Sequence, residues 1–184
     1  MPSPCDLPSI RTPPTVIVLA SGRGERFRAS GGATHKLHAL LHGKTLLQHA
    51  LDAVQASGLP WHLEDAGHPG MGDSIAAGVR ATPDAHGWMI LPADLPLIRP
   101  CTLRMLATAW PEQDVVAPVY QGQRGHPVRF AAHLGAALMA LSGDCGAAEI
   151  ARRAGVSELP VDDVGCVTDI DTVDDLRRAG EETT

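Results

Sequence analysis

Aromatic residues are scarce in this sequence of 184 residues, because phenylalanine, tyrosine and tryptophan together make up only 3% of it. Long apolar runs are also missing, and none approaches the roughly 20 residues that a membrane-spanning helix requires. Positive charge is low, since 15 lysines and arginines stand against 21 acidic residues, for a net charge of −6. Nucleic-acid backbones and anionic membranes bind clustered cations. We therefore expect neither a nucleic-acid partner nor a membrane partner.

Cysteines are few and widely separated: Cys5, Cys101, Cys145 and Cys166 contain no pair with CxxC spacing. This spacing excludes a zinc knuckle or a thioredoxin-like motif and is typical of free thiols rather than of a disulfide framework. Residues 1–14 are rich in proline and serine and lack the basic and then apolar order of a signal peptide. We therefore expect a cytoplasmic location.

Short β-branched runs alternate with helical stretches along the chain. Residues 15–19 and 88–91 predict buried parallel strands, and residues 45–57 and 75–82 predict helices. Strands that alternate with helices indicate an α/β fold with a mostly parallel sheet. No internal linker divides the chain. We expect an unstructured leader over residues 1–14, one domain over residues 15–180 and a short tail over residues 181–184.

The second half of the chain predicts a small antiparallel insertion in this sheet. Residues 115–120 and 127–130 are rich in β-formers and flank a glycine turn at residues 122–125, which is typical of a hairpin. Helices are expected over residues 133–141 and 147–153. A last strand is expected near residues 167–170, before a helix that begins at Thr172.

A glycine loop follows the first strand, in the sequence LASGRGERF over residues 19–27. Glycine loops expose backbone N–H groups that suit phosphate oxygens. Two familiar motifs do not match: Phe27 replaces the third glycine of the dinucleotide fingerprint, and His38 replaces the first glycine of a P-loop. A glycine turn alone is usually structural, but Arg26 and Lys36 place two cations beside this one. The sequence therefore predicts a phosphate-binding loop.

Three carboxylates are candidates for a metal site. Asp94 follows the predicted strand at residues 88–91, where open α/β sheets bind their ligands. Asp169 and Asp171 are two residues apart, so a strand would point both to one face. Mg²⁺ prefers a few carboxylates together with substrate phosphate oxygens. The structural alternatives are that Asp94 stabilises a turn and that Asp171 caps the helix after it.

Four histidines between residues 35 and 49 follow helical spacing, but Gly43 and Thr45 interrupt the segment, so no metal site is predicted there. Ser74 begins a predicted helix, where it either donates to a nucleotide or serves as a cap. His126 lies in a Gly-His-Pro turn, where it either contacts a substrate or makes a structural hydrogen bond.

The order of the short motifs resembles a known family. The glycine loop and its lysine are followed by Gly-Met-Gly-x-Ser, Asp-x-Pro, Gly-His-Pro, Gly-Asp-x-Gly-Ala and Asp-Ile-Asp-Thr. No single motif is specific, but their order over residues 15–179 resembles the MobA-like nucleotidyltransferases. Within that group the chain is most similar to the molybdenum cofactor cytidylyltransferases of the MocA type. The resemblance implies a Rossmann-like, three-layer α/β nucleotidyltransferase fold.

The resemblance also implies a reaction. CMP would pass from CTP to the terminal phosphate of molybdopterin, with Mg²⁺ as cofactor and pyrophosphate as the second product. Arg26, Lys36 and Asp94 would be the catalytic residues, and Asp94, Asp171 and Asp169 the metal ligands. The implied nucleotide-binding residues are Leu19, Ala20, Ser21, Gly22, Arg23, Gly24, Arg26, Lys36 and Ser74. The implied acceptor-binding residues are Gly125, His126, Pro127, Gly143, Asp144 and Gly146.

Two departures from the family pattern bear on substrate choice. Residues 58–69 are too few for the strand, helix and strand that the family has there, so we expect one sheet edge to be truncated. Ala148 stands where the cytidylyltransferases commonly have an arginine, unless Arg152 or Arg153 replaces it.

The alternative reactions are GTP-dependent guanylyl transfer to molybdopterin and nucleotidyl transfer to a sugar or alcohol phosphate. A non-catalytic protein that binds and delivers molybdenum cofactor is a further alternative. A molybdoenzyme apoprotein is a candidate partner.

Overall fold

The computed structural model describes residues 12–22, 24–109 and 112–182. The predicted leader lies mostly outside these ranges, as does the end of the predicted tail. In the described ranges the chain forms nine strands: β1 (Thr15–Leu19), β2 (Leu40–Leu41), β3 (Lys44–Thr45), β4 (Trp61–Glu64), β5 (Gly87–Pro92), β6 (Val115–Tyr120), β7 (Gln123–Arg124), β8 (Val128–Ala131) and β9 (Val156–Pro160). The same ranges contain seven α-helices: α1 (Glu25–Ala29), α2 (Leu46–Ser57), α3 (Met71–Ala81), α4 (Pro100–Thr108), α5 (Gly135–Met139), α6 (Ala148–Ala154) and α7 (Val173–Glu182).

The main sheet combines parallel and antiparallel pairing. Strand β1 lies between β4 and β5 and runs parallel to both. Strand β8 is antiparallel to β5 and β6, while β9 is parallel to β6. Strand β7 forms a short hairpin with β6. The predicted parallel sheet with a small antiparallel insertion is confirmed.

Strand β1 is buried on both sides because helices cover both faces of the sheet. Successive residues of a strand point to opposite faces. Val16 and Val18 accordingly share one core with residues of α2 and α4. Ile17 shares the other core with residues of α3, α5 and α6. All three side chains are fully buried. The predicted three-layer arrangement is confirmed.

The parallel pairing brings three loops to one edge of the sheet. Strands β1, β4 and β5 run in one direction, so the glycine loop, the loop after Glu64 and Asp94 share the carboxyl edge. Strand β8 begins at this edge because Val128 pairs with Ile90, close to the end of β5. Ligands of open α/β sheets bind at this edge.

One sheet edge ends at β4. After Glu64 the chain passes through residues 65–70 directly into α3, and the described residues place no further strand beside β4. This agrees with the expected loss of a strand in the short segment at residues 58–69. No described helix combines the length and the apolar character needed to cross a bilayer.

The strand predicted at residues 167–170 is wrong. Residues 164–166 form a 3₁₀ helix, and the backbone N–H of Ile170 donates to the Asp94 carbonyl at 3.0 Å, outside any strand ladder. The position beside β6 is taken by β9, which the sequence analysis missed. The helix predicted at residues 133–141 is split into a 3₁₀ turn at Ala132–Leu134 and the short α5.

Candidate active site

A cavity of about 810 Å³ opens at the carboxyl edge of the sheet. Of the residues predicted for the site, these line it: Leu19, Ser21, Gly22, Gly24, Arg26, Lys36, Ser74, Asp94, Gly125, His126, Asp144, Asp169 and Asp171. Ala20, Pro127, Gly143 and Gly146 are not among the lining residues, and Arg23 lies outside the described residues. The fold thus gathers most of the predicted positions, which span more than 150 residues of sequence, around one space.

An ion-pair network crosses the floor of this cavity. Lys36 Nζ donates to Asp94 Oδ2 at 2.6 Å and to Asp171 Oδ1 at 2.9 Å. Arg26 Nη1 donates to the other oxygen of Asp171 at 2.8 Å. The lysine side chain is only 11% exposed, whereas that of Arg26 is 81% exposed. The two cations and two carboxylates predicted from separate motifs therefore meet in one place.

The network fixes the charge of its members near neutral pH. Burial alone would lower the pKa of Lys36, but attraction to Asp94 and hydrogen bonds with both carboxylates outweigh it and raise that pKa above 10.5. The hydrogen bond from Lys36, assisted by Arg26, lowers the pKa of Asp171 below 3.8 against the opposing effect of burial. Lys36 is therefore cationic and Asp171 anionic at pH 7.

Asp94 is positioned by backbone contacts at the ends of β1 and β5. The N–H of Ala93 donates to the Leu19 carbonyl at 3.0 Å, which ties the glycine loop to the start of the Asp94 turn. The N–H of Ile170 donates to the carbonyl of Asp94 itself, also at 3.0 Å. This second bond brings Asp171, the next residue, beside Asp94.

The residues present fit a divalent cation that arrives with phosphate ligands. Asp94 Oδ1 is buried, and no described residue gives it a hydrogen-bond partner. Buried carboxylate oxygens are normally paired, so this oxygen can accept a further ligand. No three His, Cys, Asp or Glu side chains converge as a metal site in the described ranges. The protein thus offers the Asp94 and Asp171 pair, and Mg²⁺ is commonly held by one or two carboxylates plus substrate phosphates.

Asp171 does not cap the helix that follows it. The Asp175 carboxylate accepts from the backbone N–H of Asp171 at 3.2 Å and from that of Thr172 at 2.8 Å. The Thr172 hydroxyl accepts in turn from the Asp175 N–H at 3.2 Å. Because Thr172 and Asp175 satisfy the start of α7 between them, the Asp171 side chain is directed to Lys36 and Arg26 instead.

The glycine loop is held by a histidine that the sequence analysis did not assign to the site. His35 Nδ1 accepts from the Leu37 N–H at 3.4 Å, so Nε2 carries the proton and donates to the Gly22 carbonyl at 2.6 Å. Gly24 has φ +63°, and a Cβ there would lie 3.3 Å from the backbone N of Lys36. The loop therefore packs tightly against the segment that carries the lysine. The only sequence signal was the position of His35 beside Lys36.

The loop also contacts the first turn of α3. Ser74 Oγ donates to the Gly70 carbonyl at 3.1 Å and is 2.5 Å from Ser21 Oγ, so the Ser21 hydroxyl donates to Ser74. Ser74 is almost fully buried. Its hydroxyl acts inside the helix rather than as an N-cap, because Gly70 occupies the cap position.

The predicted acceptor residues form two different parts of the wall. A Cβ on Gly125 would lie 2.1 Å from the Cys166 carbonyl, so only glycine fits there. The N–H of His126 donates to that carbonyl at 2.8 Å. His126 lines the cleft, where desolvation lowers its pKa below 6.5 against the opposing charges of Asp94 and Asp169. Burial raises the pKa of the Cys166 thiol to about 11.

The other part of the wall is the turn at residues 143–146, which packs on α3. The Gly143 carbonyl accepts from the Gly72 N–H at 2.8 Å, and the Gly143 N–H donates to Asp73 Oδ2 at 3.0 Å. A Cβ on Gly70 would lie 2.1 Å from the Gly143 backbone. Gly143 therefore supports the wall from behind, while Asp144 reaches the cavity.

Neither arginine of α6 supplies the positive charge that an arginine at position 148 would bring to the cavity. Arg152 and Arg153 both bind the Glu149 carboxylate, at 2.7 and 2.8 Å. Neither of them lines the cavity.

A buried carboxylate at the truncated edge was missed from the sequence. Glu64 ends β4 with its side chain 7% exposed, and it lies 3.1 Å from His68 Nε2 and 3.5 Å from His62 Nε2. His68 lines the cavity and Glu64 does not. Nothing in the local pattern separates this glutamate from an ordinary surface residue, because its burial arises from the pairing of β4 with β1.

The comparisons with known proteins agree with this geometry. The chain is similar to Rv0371c from Mycobacterium tuberculosis H37Rv, at 28% identity with a TM-score of 0.71 over 92% of this chain and 99% of that one. A second crystal structure of Rv0371c is described as a complex with manganese, at 25% identity and a TM-score of 0.72. Molybdopterin-guanine dinucleotide biosynthesis protein A from Archaeoglobus fulgidus shares the fold, at 21% identity over 92% of this chain and 98% of that one, with a TM-score of 0.67.

A curated relative matches a shorter stretch. Bifunctional protein GlmU from Halorhodospira halophila is 30% identical over 120 residues, which cover 53% of this chain and 24% of GlmU. The chain therefore spans about a quarter of the length of the curated relatives it matches.

The family match covers more than half of the chain. The family model described as MobA-like NTP transferase domain matches residues 52–159. This stretch includes Ser74, Asp94 and the acceptor wall but not the glycine loop, Lys36 or Asp171, which the structure places in the same cavity. The chain belongs to the MobA-like NTP transferase domain family and has the nucleotidyltransferase fold.

Proposed function

We propose that this chain transfers CMP from CTP to the terminal phosphate of molybdopterin and releases pyrophosphate. The observation that carries the proposal is the network in which Lys36 joins Asp94 and Asp171 below the glycine loop. Together with Arg26, the network places two cations and two carboxylates in one cavity. The cations can bind a triphosphate, and the carboxylates can bind a divalent ion. The family match supports nucleotidyl transfer, and the molybdopterin acceptor rests on the motif order over residues 15–179.

In the proposed reaction, an oxygen of the acceptor phosphate attacks the α-phosphorus of the nucleotide. A new P–O bond forms there while the bond from the α-phosphorus to the bridging oxygen of the β-phosphate breaks, and pyrophosphate leaves with that electron pair. The acceptor phosphate is already ionised near neutral pH, so the step requires alignment and charge stabilisation more than a strong base.

The chain's own groups have distinct parts in this proposal. The backbone of residues 19–24 would bind the nucleotide, with its loop held in shape by His35 and by Ser21 and Ser74. Lys36 and Arg26 would neutralise charge on the α-phosphate and on the departing pyrophosphate.

Asp94 and Asp171 would hold Mg²⁺, with Asp169 as a further carboxylate near the acceptor. When bound, Mg²⁺ polarises phosphoryl oxygens as a Lewis acid, which contributes several kcal/mol in such sites. The unpaired Oδ1 of Asp94 supports this assignment.

The acceptor would lie along the second wall of the cavity. Gly125 and His126 would contact it, and Asp144 would approach it from the turn at residues 143–146. Pro127, Gly143 and Gly146 would shape this wall from behind. We also propose that the reaction takes place in the cytoplasm and that the product passes to a molybdoenzyme apoprotein.

The second candidate donor is GTP. The Archaeoglobus fulgidus neighbour is named for the biosynthesis of molybdopterin-guanine dinucleotide, so a guanine nucleotide is the alternative to test. The segment that would distinguish the two donors by sequence is shortened here, because the sheet ends at β4 and the chain then passes directly into α3.

The test is pyrophosphate release from CTP, GTP, UTP or ATP in the presence of Mg²⁺ and molybdopterin, with a sugar phosphate as the alternative acceptor. We expect release with molybdopterin and CTP. Lys36→Met should abolish it, whereas Lys44→Met should not, because Lys44 pairs with Asp52 at 2.6 Å and does not line the cavity. Release with GTP alone would move the assignment to guanylyl transfer. Binding of molybdenum cofactor without release from any nucleotide would identify a delivery protein and overturn the proposal.

A further inference from the structure

We infer that Lys36 is an internal counter-cation that keeps the carboxylate pair closed to a divalent ion until a triphosphate is present. This inference rests on the proposed function, because it assumes that Asp94 and Asp171 are the carboxylates that hold the ion. It adds an order of binding: the divalent ion enters together with the nucleotide and is not resident beforehand.

The first reason for this inference is the way in which the carboxylates of Asp94 and Asp171 are already occupied. A cation already holds three of the four oxygens of the carboxylate pair: Lys36 Nζ lies 2.6 Å from Asp94 Oδ2 and 2.9 Å from Asp171 Oδ1, and Arg26 Nη1 lies 2.8 Å from Asp171 Oδ2. Mg²⁺ needs oxygen contacts of about 2.0–2.1 Å. An ion therefore cannot bind both carboxylates while these cations remain in place, and Lys36 is the cation that joins the two aspartates.

The second reason is the balance of charge in the network. Lys36 and Arg26 together carry two positive charges, and Asp94 and Asp171 carry two negative charges, so the network is neutral as it stands. A divalent ion alone would add two positive charges to a site whose lysine is only 11% exposed and thus poorly screened. A nucleoside triphosphate brings about four negative charges at neutral pH, which makes entry of the ion favourable.

The third reason is the position of the glycine loop. Lys36 can leave the carboxylates only if another anion accepts its charge, because an unpaired buried ammonium is costly. Gly24 packs against Lys36, and a Cβ there would be 3.4 Å from the lysine Cγ. A phosphate bound by this loop would therefore lie beside the lysine chain. Arg26 is free to move at the same time, since its side chain is 81% exposed.

The test measures Mn²⁺ binding by the electron paramagnetic resonance signal of the free ion, without nucleotide. We expect weak binding to the wild-type protein and binding at least about tenfold tighter to Lys36→Met, because the carboxylates lose their counter-cation. Lys44→Met is the matched control and should bind as the wild type does. The double variant Lys36→Met/Asp94→Asn should lose the gain, which would place the ion at Asp94.

A second measurement needs no variant. The unfolding temperature of the wild-type protein should stay unchanged with Mn²⁺ alone and rise when Mn²⁺ is added with CTP, GTP or inorganic tripolyphosphate. If Mn²⁺ alone binds the wild type as tightly as it does with a triphosphate, the inference is overturned even if Lys36→Met does not fold. Unchanged or weaker Mn²⁺ binding by folded Lys36→Met overturns it as well.

These outcomes are separate from those for the reaction. Loss of pyrophosphate release with every acceptor would remove the proposed function and leave the Mn²⁺ pattern intact. Normal release together with tight binding of Mn²⁺ alone would keep the function and remove the order of binding.

Discussion

Two aspartates at the same edge of the sheet have opposite surroundings. Asp163 is 1% exposed, and its carboxylate accepts from the Arg99 N–H at 3.0 Å, the Thr102 hydroxyl at 2.5 Å and the Gly165 N–H at 3.0 Å. Asp94 accepts only from Lys36 among the described side chains, and its Oδ1 is buried without a partner. Both follow the end of a strand, so their position alone does not distinguish them.

The difference shows which carboxylate is structural. Asp163 joins the start of α4 to the 3₁₀ turn whose Cys166 carbonyl accepts from His126, and both of its oxygens are engaged. A fully paired carboxylate stabilises the fold, whereas an incompletely paired one retains capacity for a ligand. We therefore assign Asp163 to stability and propose that Asp94 takes part in the chemistry.

The largest expected effect is on turnover in Asp94→Asn. Removing one ligand of the proposed divalent ion should reduce nucleotidyl transfer by about a thousandfold or more, equivalent to about 4 kcal/mol in the transition state. The free energy of unfolding should change little, because Lys36 keeps Asp171 as its partner. The measurement is pyrophosphate release at saturating nucleotide, with urea unfolding of the same sample. Near-normal turnover would remove Asp94 from the site.

The second-largest effect is expected on stability rather than on turnover. Asp163→Ala should lower the free energy of unfolding by about 3 kcal/mol, because it leaves the donors of Arg99, Thr102 and Gly165 without this acceptor. Transfer by the folded fraction should persist, with a higher KM for the acceptor because His126 is less well positioned. Urea unfolding and steady-state kinetics below the unfolding temperature measure the two quantities. A loss of turnover as large as that of Asp94→Asn with unchanged stability would reverse the assignment.

The pH dependence of stability tests the ion pair of Asp171 with Lys36. The hydrogen bond from Lys36 lowers the pKa of Asp171 below 3.8, so its stabilising contribution is present above pH 3.8 and is lost as the pH falls through the lowered pKa. The pKa of Lys36 is raised above 10.5, so its contribution is lost only at higher pH. The difference in unfolding free energy between wild type and Asp171→Asn should be constant from about pH 5 to about pH 9. A difference that declines between pH 5 and pH 7 would contradict this network.

The smallest effect concerns the loop rather than the carboxylates. His35→Ala removes the bond to the Gly22 carbonyl, which is worth about 1 kcal/mol, and should raise the KM for the nucleotide by about fivefold. The kcat should change by less than about twofold, since the charged groups stay in place. His133→Ala is the matched control, because His133 lies near Asp114 and does not line the cavity. An equal change in both variants would remove His35 from the site.

Sequence reasoning succeeded where one short segment determines the structure. The glycine loop, the strand before it and the helix capped by Thr45 depend on neighbouring residues, and Thr45 Oγ1 indeed accepts from the Gln48 N–H at 3.1 Å. Asp94 was found because a carboxylate after a buried strand stands at the ligand-binding edge of an α/β sheet.

Sequence reasoning failed where contacts between distant segments determine the structure. Residues 167–170 have β-branched character but join no strand ladder, and β9 occupies the position beside β6. The contact of Lys36 with Asp171 joins residues 135 positions apart, and no local pattern encodes it. Asp163, Glu64 and His35 were missed for the same reason, since each owes its role to partners that the fold brings together.

The most direct test of the account is the carboxyl ¹³C spectrum of protein labelled at aspartate, recorded as Mg²⁺ and CTP or GTP are added together. Asparagine substitutions at Asp94, Asp171 and Asp163 assign the three resonances. We predict that the Asp94 and Asp171 resonances shift on formation of the complex and that the Asp163 resonance does not. A nucleotide that binds while the Asp94 and Asp171 resonances stay in place would contradict the central claim.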